Sequence, residues 1–208
     1  MFRTILAVAV VLGAWPAAGQ TVAWRGPISG LLYDSPSRAL RPVIGFPGAS
    51  YLGAALVTGI ENASIAPDGE SALAIEGGRV VLIQNLRGEG QRRLVLPETV
   101  ERLDQVAWSP DSRVAVVYSS ATRQLWRIES GNTAAAVAID LHLPGEVAAL
   151  AADAAAGHVL ASVRHAEEGG FYAVQDGGAA RLIALANPGP AVFSRNGGAF
   201  YGVDLNTG

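Results

Sequence analysis

Cysteine occurs nowhere in the 208 residues. That excludes disulfides, thiol nucleophiles, zinc–thiolate centres and lipid attachment at an N-terminal cysteine, and leaves any fold to be held by packing alone. Lysine is absent too: all 15 basic residues are arginine, and only Arg92 and Arg93 are adjacent. Arginines used for bidentate anion binding would cluster, so this pattern, with its abundant alanine and glycine, reads as codon bias in a GC-rich genome. Charge is scarce, at 16% of residues and a net −3. Nucleic acid is therefore a poor partner, because phosphate binding needs a concentrated basic face. No stretch approaches twenty uninterrupted apolar residues, which argues against a membrane span. Yet half the residues are apolar, so one domain with a sizeable core is expected.

The N-terminus has the parts of an export signal. Arg3 supplies a positive start, Ile5–Leu12 an apolar run and Pro16 a break, and Ala17-Ala18-Gly19 places small residues where a signal peptidase cuts. Residues 1–19 are expected to be a signal peptide, with cleavage before Gln20 and a periplasmic or extracellular mature chain.

A repeat organises the remainder. IAPDGESALAI from Ile65 aligns without a gap on WSPDSRVAVVY from Trp108, about 43 residues on. A third copy starts at Phe193, with Ser194, Asn196 and Gly197 in its turn, and Ala149–Val163 makes a more degenerate fourth with one inserted residue. Each copy has the form of a hairpin. Proline presets φ, aspartate bonds its own backbone, and glycine or asparagine tolerates positive φ. The strand after the turn is apolar throughout, as in Val114–Tyr118, the pattern of a strand buried on both faces. Third strands (VVLIQN, LWRIES, FYAVQD) and fourth strands (from Arg93, Ala135 and Arg181) follow. Four short antiparallel strands per 40-odd residues is the signature of a β-propeller blade.

The Ala66-Pro67-Asp68-Gly69 and Ser109-Pro110-Asp111-Ser112 turns, decaying to Ser194-Arg195-Asn196-Gly197, resemble the turn between the first two strands in WD-repeat-like and YVTN-type bacterial β-propellers. The resemblance implies architecture and says little about activity; the Gly-His and Trp-Asp dipeptides of eukaryotic WD repeats are absent. The expected fold is all-β, a propeller of four-stranded antiparallel blades. It divides into a partial blade at 20–46, blades at about 60–97, 104–143 and 147–186, and a partial blade at 190–208. ISGLLYD and ALRPVIGF look like the last two strands of a blade, and they would pair with the two C-terminal strands if the chain closed a four-bladed ring. Strongly twisted WD-like blades close with about six to eight members, so a piece of a longer propeller is the favoured reading.

Candidate chemistry is thin. Three histidines without a G-x-S-x-G elbow do not make a hydrolase triad, and Gly88-Glu89-Gly90 is a hairpin turn rather than a phosphate loop. Asp68 and Asp111 occupy equivalent turns and are turn formers. Trp108, Trp126 and Phe193 are expected in the core between blades. In blades of this kind the loops entering the first strand share a face with those between the second and third. That face carries Glu61, Glu98, Glu101, Asp104, His142, Glu146 and His165, the candidate binding residues. No cofactor or metal is expected. The functional reading is a non-catalytic binding or scaffold module holding a protein, peptide or glycan in the cell envelope. The rival reading is a fragment of a propeller enzyme, lactonase-like and metal-dependent or quinoprotein-like, with site residues partly in blades outside this chain.

Overall fold

The computed structural model describes residues 27–131, 135–139, 143–153, 157–175, 178–194 and 198–206. The expected signal peptide and its cleavage point lie outside them, as do His142 and Asn196. Among the described residues every regular element is a strand.

The strands form five sheets. Sheet I holds β1 (Ile28–Asp34), β2 (Ala39–Phe46), β3 (Ala49–Leu52) and β4 (Val57–Thr58), with β1 on one side of β2 and the two short strands on the other. Sheet II is β5 (Ile60–Ile65), β6 (Ser71–Glu76), β7 (Arg79–Gln84) and β8 (Arg92–Val95). Sheet III is β9 (Gln105–Trp108), β10 (Val114–Ser119), β11 (Gln124–Glu129) and β12 (Ala135–Ile139). Sheet IV is β13 (Glu146–Ala152), β14 (Val159–Arg164), β15 (Gly170–Gln175) and β16 (Gly178–Ala184), and sheet V is the pair β17 (Pro188–Phe193) and β18 (Phe200–Asp204). All pairings are antiparallel and, except for β4 with β2, join strands consecutive in the chain, the up-and-down pattern of propeller blades.

The core lies between sheets rather than within one layer. Second strands are apolar without alternation because each faces a neighbouring sheet on both sides. On β6, Ala72 and Ala74 pack with Leu40 and Ile60 towards sheet I, while Leu73 packs with Trp126 and Ile128 towards sheet III. On β10, Ala115 and Val117 face sheet II, while Val116 and Tyr118 join Val147, Ala161 and Val163 of sheet IV. On β14, Leu160 turns the other way, onto Ala191 of sheet V.

The repeated turn makes the same closing bond in four successive sheets. Amides of Ala66, Ser109, Asp153 and Ser194 donate to carbonyls of Ser71, Val114, His158 and Ala199 at 2.9, 2.8, 3.1 and 2.8 Å. Ser112 takes φ of 63°, where the first copy has Gly69 at 69°. Its hydroxyl accepts the Asp68 amide of the preceding turn at 3.0 Å, so the strained serine also ties neighbouring blades together. Trp108 Nε1 donates to Ser64 Oγ at 3.2 Å across the same gap.

The first sheet departs from expectation. β1 lies alongside β5, as β13 lies alongside β9 and β17, and Tyr33 donates its hydroxyl towards the Ile60 and Glu61 carbonyls at 3.1 and 2.7 Å. ISGLLYD and ALRPVIGF are thus the first two strands of their own sheet and not the outer two of a shared one. β2 pairs on its other side with β3 and β4, and β17 pairs with β18 in a separate sheet. The reason is Leu40, fully buried among Val57, Ile60 and Ala72, a core position that an outer strand would not supply.

Candidate functional site

The loop face collects the turns between second and third strands and the connections from each fourth strand to the next first strand. On sheet II these two loops enclose a cleft of about 310 Å³, lined by Gly77, Gly78 and Arg79 on one side and by the Leu96–Glu101 connection on the other. Its floor is Val80, Leu96 and Val100, all buried and part of the core between sheets II and III. Gly77 and Gly78 have no side chains to fill the mouth. Arg79 reaches Glu98 at 3.8 Å.

Two of the expected residues, Glu98 and Glu101, therefore meet in one cleft. The others are placed elsewhere. Glu61 is on β5, exposed, 3.4 Å from Arg38. Glu146 opens β13 opposite Arg164. His165 is held by its own turn: Nδ1 accepts the amides of Glu168 at 3.0 Å and Glu167 at 3.4 Å. His142 lies outside the described residues.

Asp104 has a structural job. Its Oδ2 accepts the Ser120 amide at 2.7 Å and the Ser120 hydroxyl at 2.6 Å, and Arg102 stands 3.2 Å from Oδ1. Partial burial alone would raise its pKa, but the Ser120 donors and the Arg102 charge outweigh it and hold the carboxyl below its ordinary value. A depressed folded-state pKa contributes stability that is complete above the unfolded value and lost as pH falls through the carboxylate range. Asp104→Asn is expected to cost about 1–2 kcal/mol at pH 7, with the gap from wild type narrowing at pH 3, as read by urea unfolding at both pH values. An equal gap at both would refute the ionic role.

At the other end of the strands, Asp153 Oδ2 lies 2.6 Å from His158 Nδ1. His158 sits in the β13–β14 turn and is exposed. Near it the inner strands leave an apolar hollow of about 390 Å³ between Pro67, Trp108, Pro110, Leu150 and Phe193. Trp126 is the expected core residue at 1% exposure, whereas Trp108 and Phe193 are half-buried and shared between core and hollow. Among the described residues no three His, Asp or Glu side chains converge in a way that would hold a metal ion.

Arg79 and the Gly77–Gly78 pair were missed as site residues from sequence. Gly-Gly before an apolar strand signals a turn, and nothing local tells that this turn faces the connection ending at Glu101.

No protein-family profile matches the chain, and no curated protein is similar to it in sequence. Solved structures do share its fold. TolB from Acinetobacter baumannii superposes with a TM-score of 0.51 at 13% identity, over 86% of this chain and 50% of that one. The β-propeller domain of Cps50 (Swd1) from Myceliophteria thermophila gives 0.50 at 12% identity, over 87% and 64%. The chain thus spans between half and two thirds of the length of these structures. With its four-stranded antiparallel sheets, the likeness shows a β-propeller.

Proposed function

We propose that this β-propeller is an exported, non-catalytic binding module that holds a protein, peptide or glycan in the cell envelope through its loop-bearing face. The observation that carries the reading is the cleft between Gly77–Arg79 and Leu96–Glu101: a buried apolar floor under exposed polar rims, the make-up of a recognition pocket. The polar groups of that face nearest to catalytic chemistry are occupied, Asp104 by Ser120 and His165 by backbone amides. Export is supported by the charged start, apolar run and small residues of positions 1–19.

Two experiments test it. Peptides selected on the chain by phage display should lose binding to a Glu98→Ala/Glu101→Ala variant and keep it on Arg87→Ala, whose residue lies at the opposite end of sheet II. Selected peptides indifferent to the cleft, or melting temperatures that rise with calcium or manganese, would turn the reading towards another face or a metal-dependent enzyme. For export, mass spectrometry of the chain expressed in a Gram-negative host should find a periplasmic product beginning at Gln20. A cytoplasmic product retaining residues 1–19 would overturn that half of the proposal.

A further inference from the structure

We infer that the cleft on sheet II takes one long basic side chain, arginine or lysine, of a peptide ligand. This rests on the loop-face binding proposed above and names the residue that the face selects. Size comes first. About 310 Å³ is at the bottom of the range for ligand pockets, enough for one extended side chain and too small for a cofactor or an oligosaccharide. Lining chemistry comes second. Val80, Leu96 and Val100 give an apolar floor against which the methylene stem of arginine or lysine lies while its head stays at the wet mouth. No aromatic side chain lines the cleft, so it lacks a stacking surface for a sugar ring.

Charge decides the sign. Glu98 faces Arg79 at 3.8 Å. Glu101 has no ion pair or hydrogen bond among the described residues, and its neighbour Arg102 is turned to Asp104 at 3.2 Å. Two carboxylates and one guanidinium line the cleft, leaving one negative charge unbalanced, and one incoming cation balances it. An acidic or phosphorylated peptide would meet repulsion instead.

The probe is acetyl-Gly-Arg-Gly-amide, titrated into the ¹⁵N-labelled chain against the same peptide with citrulline, which keeps the shape and removes the charge. Saturable amide shifts are expected at Gly77, Gly78 and Val100, with the arginine peptide bound about fivefold more tightly than citrulline, the factor an exposed ion pair supplies. Glu101→Gln, at an exposed site that does not support the fold, should remove most of that fivefold difference. Equal affinity for the two peptides, or no saturable shift at these amides, overturns the inference. Its failure is separable from that of the binding reading: display peptides that need the cleft but show no enrichment in arginine or lysine would sink only the basic side chain. Display yielding no cleft-dependent peptide would sink both.

Discussion

Trp126→Ala is expected to remove about 3–5 kcal/mol of unfolding free energy, the usual cost of truncating a buried aromatic. Trp126 is 1% exposed and among the largest fully buried side chains, inserted from β11 between sheets II and III beside Leu73, Leu82 and Val117. Trp126 fills the core shared by sheets II and III, so the void cannot be relieved by moving a single strand without opening that interface. Domains of this size have about 5–15 kcal/mol in total, so the variant should stand close to unfolding at room temperature. Urea denaturation reads the effect, and Trp126→Phe, which keeps most of the volume, should lose clearly less. A loss below about 1 kcal/mol for the alanine variant, the scale of an ordinary substitution, would mean that the II–III interface is not packed as described.

A single added methyl group is expected to do comparable harm at Gly170. This residue pairs with Val163 and Ala184 in the middle of sheet IV, beside the bulge at Phe171/Tyr172, and has φ of 152°. A Cβ there would press into the Ile183 carbonyl oxygen, and that obstacle is backbone rather than a movable side chain. Gly170→Ala should therefore cost about 3 kcal/mol, the upper range for overpacking. Gly30→Ala is the control. Its Cβ would meet nothing within 4 Å, and alanine is the better strand residue, so no loss is expected. Equal denaturation midpoints for the two variants would refute the close approach at Gly170.

The strand pattern was legible because it is written locally. Turns followed by non-alternating apolar runs at Leu73, Val116 and Leu160, the first two with Pro-Asp in the turn, required sheets covered on both faces, and the four core clusters are those coverings. The first sheet was misread because ISGLLYD and ALRPVIGF lack the Pro-Asp turn that marks the first and second strands of sheets II and III. Tyr33, Leu40 and their partners sixteen to twenty-eight residues away carry that assignment. The same limit applied to the site. Glu98 and Glu101 could be put on a face from strand order alone, and so could Asp104, but whether a carboxylate is exposed or held by Ser120 depends on which turn folds over it.

What the sequence alone determined is the repeat, the four-stranded unit and the absence of thiol chemistry in these 208 residues, since these follow from composition, non-alternating apolar runs and turn patterns within one blade, while the face on which the loops gather came from the resemblance to known blades. What only the tertiary structure decided is which loops meet and which side chains fill the gaps between sheets. The cleft beside Glu101 joins two loops of sheet II and the seat of Trp126 joins sheets II and III, and contacts of that kind leave no periodic trace along the chain.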